Sequence, residues 1–504
     1  MKLYYNILIS TLLEENTLNL YNAITALSLV INFLISLTII FKNREKPEKS
    51  IGWLLIFMLI PFLGLILYFF LGRNWKSRNL KERLSPEMID FVKTSLEEYA
   101  GPYKDMAKMV TIGNGSPMFS YNNITLYKDG VEKFEALIHD LESATHHIHM
   151  EYYIVKSDDI GRRIFDTLIR KSKEGVKVRF IMDKVGGRRF DKEYLKEIRA
   201  AGIELVTYSA HFASISKYID TSINYRNHRK IIIIDGKIGY LGGNNIGDEY
   251  TGKSKFGYWR DTHARIEGEF VLGLQALFFD DFFSVLSFNE EAKKWEYDKQ
   301  RQKYKREEDL SLYFPKNTIE NYLPMQLVYN GPGTPYSTVE QLFLKMITSA
   351  KEKIYISSPY FIPSDSLMQA LKVAVLSGID VKIVFPEQYD HPPVGHASMT
   401  YIKELLDVGV EFYLYDKESF YHNKAMVVDT QISTFGTANF DVRSLYYNYE
   451  VNAVVYDELT SAKMEGLFYD DAAASRMLTL EEYNRGSIFT HLKESFFRIF
   501  SLLF

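Results

Sequence analysis

Two stretches of this chain repeat each other at a constant offset of 194 residues: HRKIIIIDGKIGYLGGNN (228–245) and HNKAMVVDTQISTFGTAN (422–439). The offset pairs His228 with His422, Lys230 with Lys424, Asp235 with Asp429, Gly242 with Gly436 and Asn245 with Asn439. Each copy ends a longer matched series. ATHHI (144–148) corresponds to AKEKI (350–354), EGVKVRFIM (174–182) to SGIDVKIVF (377–385) and AGIEL (201–205) to VGVEF (408–412), at offsets of 206, 203 and 207. Preserved order with drifting offsets marks the duplication of a whole domain, not a short-period solenoid. Within each copy, short β-branched runs alternate with helical periodicity, the pattern of an α/β domain around a largely buried sheet. In the first copy we read strands over 148–154, 176–182 and 203–208 and helices over 161–173 and 192–200.

The spacing inside the repeated stretch carries chemistry. In a strand, residues i and i+2 share a face, so each histidine projects together with its lysine while Arg229 and Asn423 point away. Asp235 and Asp429 have the opposite parity, and the glycine after Asp235 suggests a turn, so the aspartates read as anchors of the strand end. The following strand, KIGYL or QISTF, returns a glycine and then Asn245 or Asn439 beside the histidine. Two histidines, two lysines and two asparagines across a pseudo-two-fold axis suit a phosphodiester: lysine and amide groups stabilise the phosphate oxygens without a metal or cofactor. One imidazole attacks phosphorus; the other protonates the leaving alcohol and deprotonates the incoming one. Each must be held in one tautomer, usually by a carboxylate. Asp261 in WRDTH and Glu450 in NYEVN, downstream of the two stretches, are the candidates.

At these residues the chain resembles the phospholipase D superfamily, whose signature, HxKxxxxD followed by GSxN, occurs twice in bilobal members. Gly243 and Thr437 replace the signature serine. GGNNIGDEY (242–250), YWRDTHARIEG (258–268), SPYFIPSDSL (358–367), DHP (390–392) and GTANFDVRSLYYNYEVNA (436–453) are similar to the bacterial cardiolipin synthases of that superfamily. The resemblance implies two tandem phospholipase D-like domains and a catalytic set of His228, Lys230, Asp235, His422, Lys424 and Asp429, with Asn245 and Asn439 on substrate. It further implies that His228 attacks one phosphatidylglycerol, releasing glycerol, and that a second phosphatidylglycerol accepts the phosphatidyl group to give cardiolipin. The near-symmetry of the sequence does not itself distinguish attacker from acid. The second copy reads HNK where HAK is expected, and the outward parity of Asn423 predicts that activity survives.

Composition narrows the alternatives. Sixty Lys and Arg against 64 Asp and Glu leave a net charge of -4, so no global basic field draws the chain to nucleic acid, which counts against a nuclease. The absence of cysteine excludes a thiol nucleophile and thiolate-bound metal. Ala23–Phe41 and Ile51–Leu71 are nearly charge-free and long enough to cross a bilayer, and we expect an N-terminal pair of transmembrane helices, with Pro61 and Gly64 allowing a kink or hairpin in the second. Basic residues flanking them number six against four in favour of catalytic domains on the cytoplasmic side of the cell membrane. The expected organisation is a membrane segment over 1–80, phospholipase D-like domains over 110–288 and 326–484, a charged linker over 289–325, and an amphipathic tail over 485–504 suited to a membrane surface. The run Ile7–Leu13 lacks a small-residue cleavage site and is read as mature chain. HHIH (146–149) reads as strand rather than metal site, since adjacent strand residues face opposite sides. GGRR (186–189), Tyr360, Phe361 and His391 are possible headgroup or lipid contacts, with turn and core packing as the alternatives. Partners are therefore phosphatidylglycerol and membrane lipids. Hydrolysis by a phospholipase D, or transfer to another alcohol, remains the nearest competing reaction.

Overall fold

A computed structural model describes residues 22, 24–37, 47–60, 94, 96–97, 99, 101–208, 225–286, 288–289, 294–295, 309–331, 334 and 336–501. The chain divides into two units, Met1–Lys76 and Ser77–Phe504. In the first, residues 24–37 and Pro47–Leu59 are helical. Leu27, Phe33 and Met58 lie exposed on them. Among the described residues no helix is long and apolar enough to cross a membrane. The remainder of both expected spans, 38–41 and 61–71, lies outside the described residues, as does the run 7–13.

Sixteen strands of the second unit share one sheet. The first half supplies β1 (Phe119–Asp129), β2 (His147–Tyr152), β3 (Lys177–Asp183), β4 (Glu204–Tyr208), β5 (Ile231–Ile234), β6 (Ile238–Gly242) and β7 (Trp259–Gly268). The second supplies β8 (Tyr322–Asn330), β9 (Lys353–Ser357), β10 (Asp380–Pro386), β11 (Glu411–Tyr415), β12 (Phe420–Tyr421), β13 (Ala425–Val428), β14 (Ile432–Gly436), β15 (Glu450–Val455) and β16 (Ser475–Leu478). From the antiparallel β1–β8 pair at the centre, the order runs β7-β6-β5-β2-β3-β4 on one side and β15-β14-β13-β9-β10-β11-β16 on the other. Apart from the extra edge strand β16, the order is a palindrome, so the two domain copies expected from the repeat join edge to edge. β12 stands outside this path and pairs with β7 of the first half.

Local sequence explains the layers. In the first half β2, β3 and β4 run parallel, joined by helices Asp159–Lys173 and Lys192–Ala200. Asp158 and Asp191 cap these helices by accepting from free backbone N–H groups of the first turn. Ile160, Ile164, Phe165 and Leu168 recur at helical spacing and are buried. β5 is paired on both edges, to β2 and β6, and all four of its isoleucines are buried. A strand covered on both faces needs no polar alternation, and each isoleucine side chain buried there contributes roughly 1.5–3 kcal/mol.

Three boundaries depart from the sequence reading. β5 begins at Ile231, so His228 and Lys230 precede the strand instead of projecting from it. The charged stretch after the first half contains a short ladder, Phe288–Asn289 with Lys294–Trp295, while 296–308 lie outside the described residues. β8 opens at Tyr322, within the expected linker. At the other end, helix Ile488–Ile499 packs on helix Pro392–Leu406, with Phe497 stacked at 5.9 Å on His396, and leaves Ile488, Phe489, Leu492 and Phe496 exposed.

Candidate active site

Each histidine is positioned by the other half. β12 runs parallel to the start of β7, Phe420 opposite Trp259 and Tyr421 opposite Arg260, with the Phe420 and Trp259 rings 4.4 Å apart. The next residue, His422, donates its backbone N–H to the Arg260 carbonyl at 2.8 Å. This sets its ring against the residue after Arg260: His422 Nδ1 lies 2.7 Å from Asp261 Oδ2. The mirror arrangement holds His228. Asn227 bridges Tyr449, the His228 N–H donates to the Tyr449 carbonyl at 3.0 Å, and His228 Nδ1 lies 3.0 Å from Glu450 Oε2. Asp261 and Glu450 are themselves equivalent: Gly242 pairs with His263 and Gly436 with Asn452, and the carboxylates stand two residues before those partners. The carboxylate beside each imidazole thus comes from the opposite half, and the two half-sites close one site across the sheet's centre.

The electrostatics follow from burial. Asp261 and Glu450 are wholly buried. Burial opposes the Asp261 charge, but Lys424 and His422 outweigh it and hold its carboxyl below the usual range. Glu450 behaves likewise, against burial, through His228, Lys230 and the Thr437 hydroxyl. Desolvation lowers both imidazoles, His228 despite Glu450, and His422 to about 4 with Lys424 adding to the fall. Lys230 is pushed down to about 7 by burial, and Lys424 is lowered for the same first cause. Lys230 Nζ donates to the His228 carbonyl at 2.6 Å; Lys424 Nζ donates to the His422 carbonyl and lies 2.8 Å from His422 Nδ1. With Nδ1 of each ring against a carboxylate, Nε2 is the nitrogen left for substrate.

Other residues singled out in sequence have different surroundings. The Asp235 carboxylate accepts the N–H groups of Thr145, His146 and His147, and Asp429 those of Lys351, Glu352 and Lys353. Both aspartates sit at positive φ, 53°, at the far end of the motif strand from the histidine. Asn245 Oδ1 accepts from the Ile154 N–H at 3.1 Å and its Nδ2 donates to the Tyr250 hydroxyl at 2.5 Å. The Asn439 amide interacts with the Asp441 carboxylate. Arg229 turns away into a buried ion pair with Asp281, and Asn423 Nδ2 donates to the Tyr421 hydroxyl at 3.4 Å. His147 and His149 are buried against Gln275, and among the described residues no group of three or more metal-binding side chains could hold an ion. Tyr360 donates to Asp390 at 2.7 Å, Phe361 is core, and His391 is exposed.

The replaced serines differ in consequence. Thr437 donates its hydroxyl to Glu450 Oε2 at 2.6 Å and accepts from the Val451 N–H at 2.9 Å. At Gly243 a Cβ would overlap the Asp261 carboxylate. The residue without a side chain therefore faces the shorter acid held hard against its imidazole. Sequence reasoning missed the aromatic walls: Tyr153 lies edge-on to His228 at 5.0 Å, Trp259 and Tyr250 edge-on to His422 at 5.6 and 6.0 Å. Only the alignment of each aromatic with the opposite histidine could have signalled them, and that alignment is tertiary.

Comparison with known proteins agrees with this geometry. The family described as "Cardiolipin synthase, PLD-like domain" matches residues 137–255 and 343–472, and the family "Phospholipase_D-nuclease N-terminal" matches 30–73. The major cardiolipin synthase of Bacillus subtilis is 37% identical over 499 residues, 96% of this chain and 99% of its own length. A cardiolipin synthase of Staphylococcus aureus is 37% identical over 511 residues, 98% of this chain and 99% of its own length. Among solved structures, the phosphatidylserine synthase of Haemophilus influenzae shares the fold, at 14% identity and a TM-score of 0.60, over 79% of this chain and 100% of that one. Full-length identity, two matched domains and paired half-sites lead to one conclusion: the chain belongs to the cardiolipin synthase family of phospholipase D-like proteins.

Proposed function

We propose that this protein is a phosphatidyltransferase that makes cardiolipin from two molecules of phosphatidylglycerol. The observation that carries the chemistry is the crossed pair, two buried imidazoles each bound at Nδ1 by a carboxylate from the other half. In the first step Nε2 of His228 attacks phosphorus, the P–O bond to the glycerol headgroup breaks, and His422 donates the proton that the leaving glycerol carries away. In the second step His422 takes the proton from a headgroup hydroxyl of another phosphatidylglycerol, whose oxygen attacks the phosphohistidine; the P–N bond breaks, giving cardiolipin and free His228. Lys230 and Lys424 stabilise the phosphate oxygens as charge develops. Both are depressed by burial in the unliganded site, and an anionic phosphate restores their charge.

The residues of the expected spans 23–41 and 51–71 anchor the protein at the cell membrane, a reading supported by exposed Leu27, Phe33 and Met58 and by the N-terminal family match. The apolar face of helix Ile488–Ile499 rests on the same surface. The catalytic halves face the cytoplasm on the balance of flanking basic residues.

Purified full-length protein supplied with headgroup-labelled and acyl-labelled phosphatidylglycerol tests the reaction. Equal release of glycerol and cardiolipin is expected. Phosphatidate as the main lipid product would replace the transferase by a hydrolytic phospholipase D.

A further inference from the structure

The two sides of the site are built from the same repeat but lined differently. On the His228 side, Tyr153 is hydrogen-bonded by Arg226 and feels the charge of Arg443. The nearby Asp183 is spent on the backbone: Oδ1 accepts from Val185 and Gly186, Oδ2 from Asn227, at 2.8, 3.1 and 3.1 Å. Guanidinium groups and a lysine suit the anionic phosphodiester. On the His422 side a different carboxylate, Asp390, stands before helix Pro392–Leu406. Tyr360 donates to its Oδ2 at 2.7 Å and His391 lies 3.7 Å from the same oxygen. Its Oδ1 is shielded and has no hydrogen-bond partner among the described residues. The Asp390 charge raises the proton affinity of His422 and of Lys424, so the carboxylate lies within electrostatic reach of the acid/base histidine.

We infer that Asp390 accepts a hydrogen bond from the glycerol hydroxyls of the lipid headgroup, making the His422 side the place where one headgroup leaves and the next enters. The inference rests on the phosphatidyl-transfer reading above. A carboxylate is an acceptor only, and the side chain holds one oxygen in place with Tyr360 while leaving the other open. Such an oxygen discriminates by the partner it lacks: a headgroup without hydroxyls leaves it desolvated and unpaired, whereas glycerol fills it. Lys424 nearby offsets the carboxylate's charge, which favours a neutral hydroxyl over a cationic headgroup. The same subsite serves both steps, because the alcohol leaving in the first and the alcohol arriving in the second occupy one position relative to phosphorus and His422.

The test compares two labelled donors in vesicles, phosphatidylglycerol and phosphatidylpropanol, which has the same headgroup carbon count without free hydroxyls. Alcohol release is read for the full-length wild type, Asp390→Asn and Asp390→Ala. Wild type is expected to favour the glycerol headgroup, and the ratio of kcat/KM between donors to fall about 10–100-fold in both variants, mainly through KM for phosphatidylglycerol. Tyr360→Phe, which loosens Asp390, is expected to lower the ratio by a smaller factor. An unchanged ratio, or equal slowing of both donors, would overturn the assignment by making Asp390 a positioning residue for His422 alone. Wild-type preference for phosphatidylethanolamine over phosphatidylglycerol would also overturn it, in favour of cation recognition. The two readings fail separately. Phosphatidate in place of cardiolipin from the wild type removes the transferase reaction, while the ratio of alcohols released still decides Asp390.

Discussion

The His228 and His422 half-sites have the same backbone scaffold and unlike surroundings. Each imidazole is fixed by one backbone hydrogen bond and one carboxylate from the opposite half. Around that frame, glutamate and threonine serve His228 where aspartate and glycine serve His422. His422 is also touched at Nδ1 by its own motif lysine, a contact that keeps its proton affinity low, down to about 4. The comparison teaches that a duplicated site becomes directional through its second ring of residues while the repeated motif stays the same. A nucleophile is served by low proton affinity together with cationic neighbours; a proton donor must gain affinity when substrate arrives, and the negative phosphate supplies that gain.

The largest expected effects break the pair outright. His228→Ala and His422→Ala should each lower turnover of phosphatidylglycerol by a factor of about 10⁴ or more, since nucleophile and acid/base are not interchangeable. The halves separate with a donor whose leaving group needs no proton, such as phosphatidyl-p-nitrophenol. His422→Ala should still form a labelled phosphatidyl-protein with the label on His228, and label on residue 422 of His228→Ala would reverse the roles. Next in size, Glu450→Gln and Asp261→Asn should each cost roughly 10²–10⁴-fold in kcat by releasing the ring from its tautomer. With the p-nitrophenol donor, Glu450→Gln should remain slow in forming the intermediate while Asp261→Asn recovers, and equal recovery would erase the distinction between the halves.

A smaller effect tests the glycine–threonine difference. Gly243→Ser introduces a Cβ into the space of the Asp261 carboxylate and should lower kcat by about 10-fold or more, judged from the cost of a misplaced reacting group. Thr437→Ser keeps the hydroxyl beside Glu450 and should stay within about threefold of wild type, since the hydrogen bond is retained.

The smallest effect is on stability. His422 has a folded pKa near 4 against an ordinary value of 6.5, so between those values the unfolded chain binds the extra proton. Its contribution to stability is full above about pH 6.5 and is lost as pH falls towards 4, by at most about 1.4 kcal/mol per pH unit. Denaturant unfolding across that window should give a shallower pH dependence for His422→Asn than for wild type, and identical slopes would place the His422 proton affinity near its ordinary value.

The strands and helices of the first half were legible to within a few residues because their signals are local: β-branched runs, helical stripes, capping aspartates. Helix Lys192–Ala200 lies where its periodicity put it. His228 and Lys230 were misassigned to the strand because the isoleucine run continues the apolar pattern while the ladder itself starts at Ile231. The pairing of histidines with carboxylates was open. Asp261 and Glu450 were visible as acids downstream of each motif, but their partners depend on β12 crossing to β7 and on Asn227 meeting Tyr449, contacts separated by roughly half the chain that no local pattern encodes.

By itself the sequence determined that this protein is a duplicated α/β unit carrying two equivalent His-Lys motifs, because a repeat with constant spacing leaves its mark wherever the chain is read. Tertiary structure alone decided that each motif would be completed by the other copy, which aromatic and charged groups would line each side, and that Asp390 would stand beside His422 with one oxygen open. Those outcomes follow from edge pairing and burial between distant segments. Such forces act on surfaces that exist only after both halves have folded.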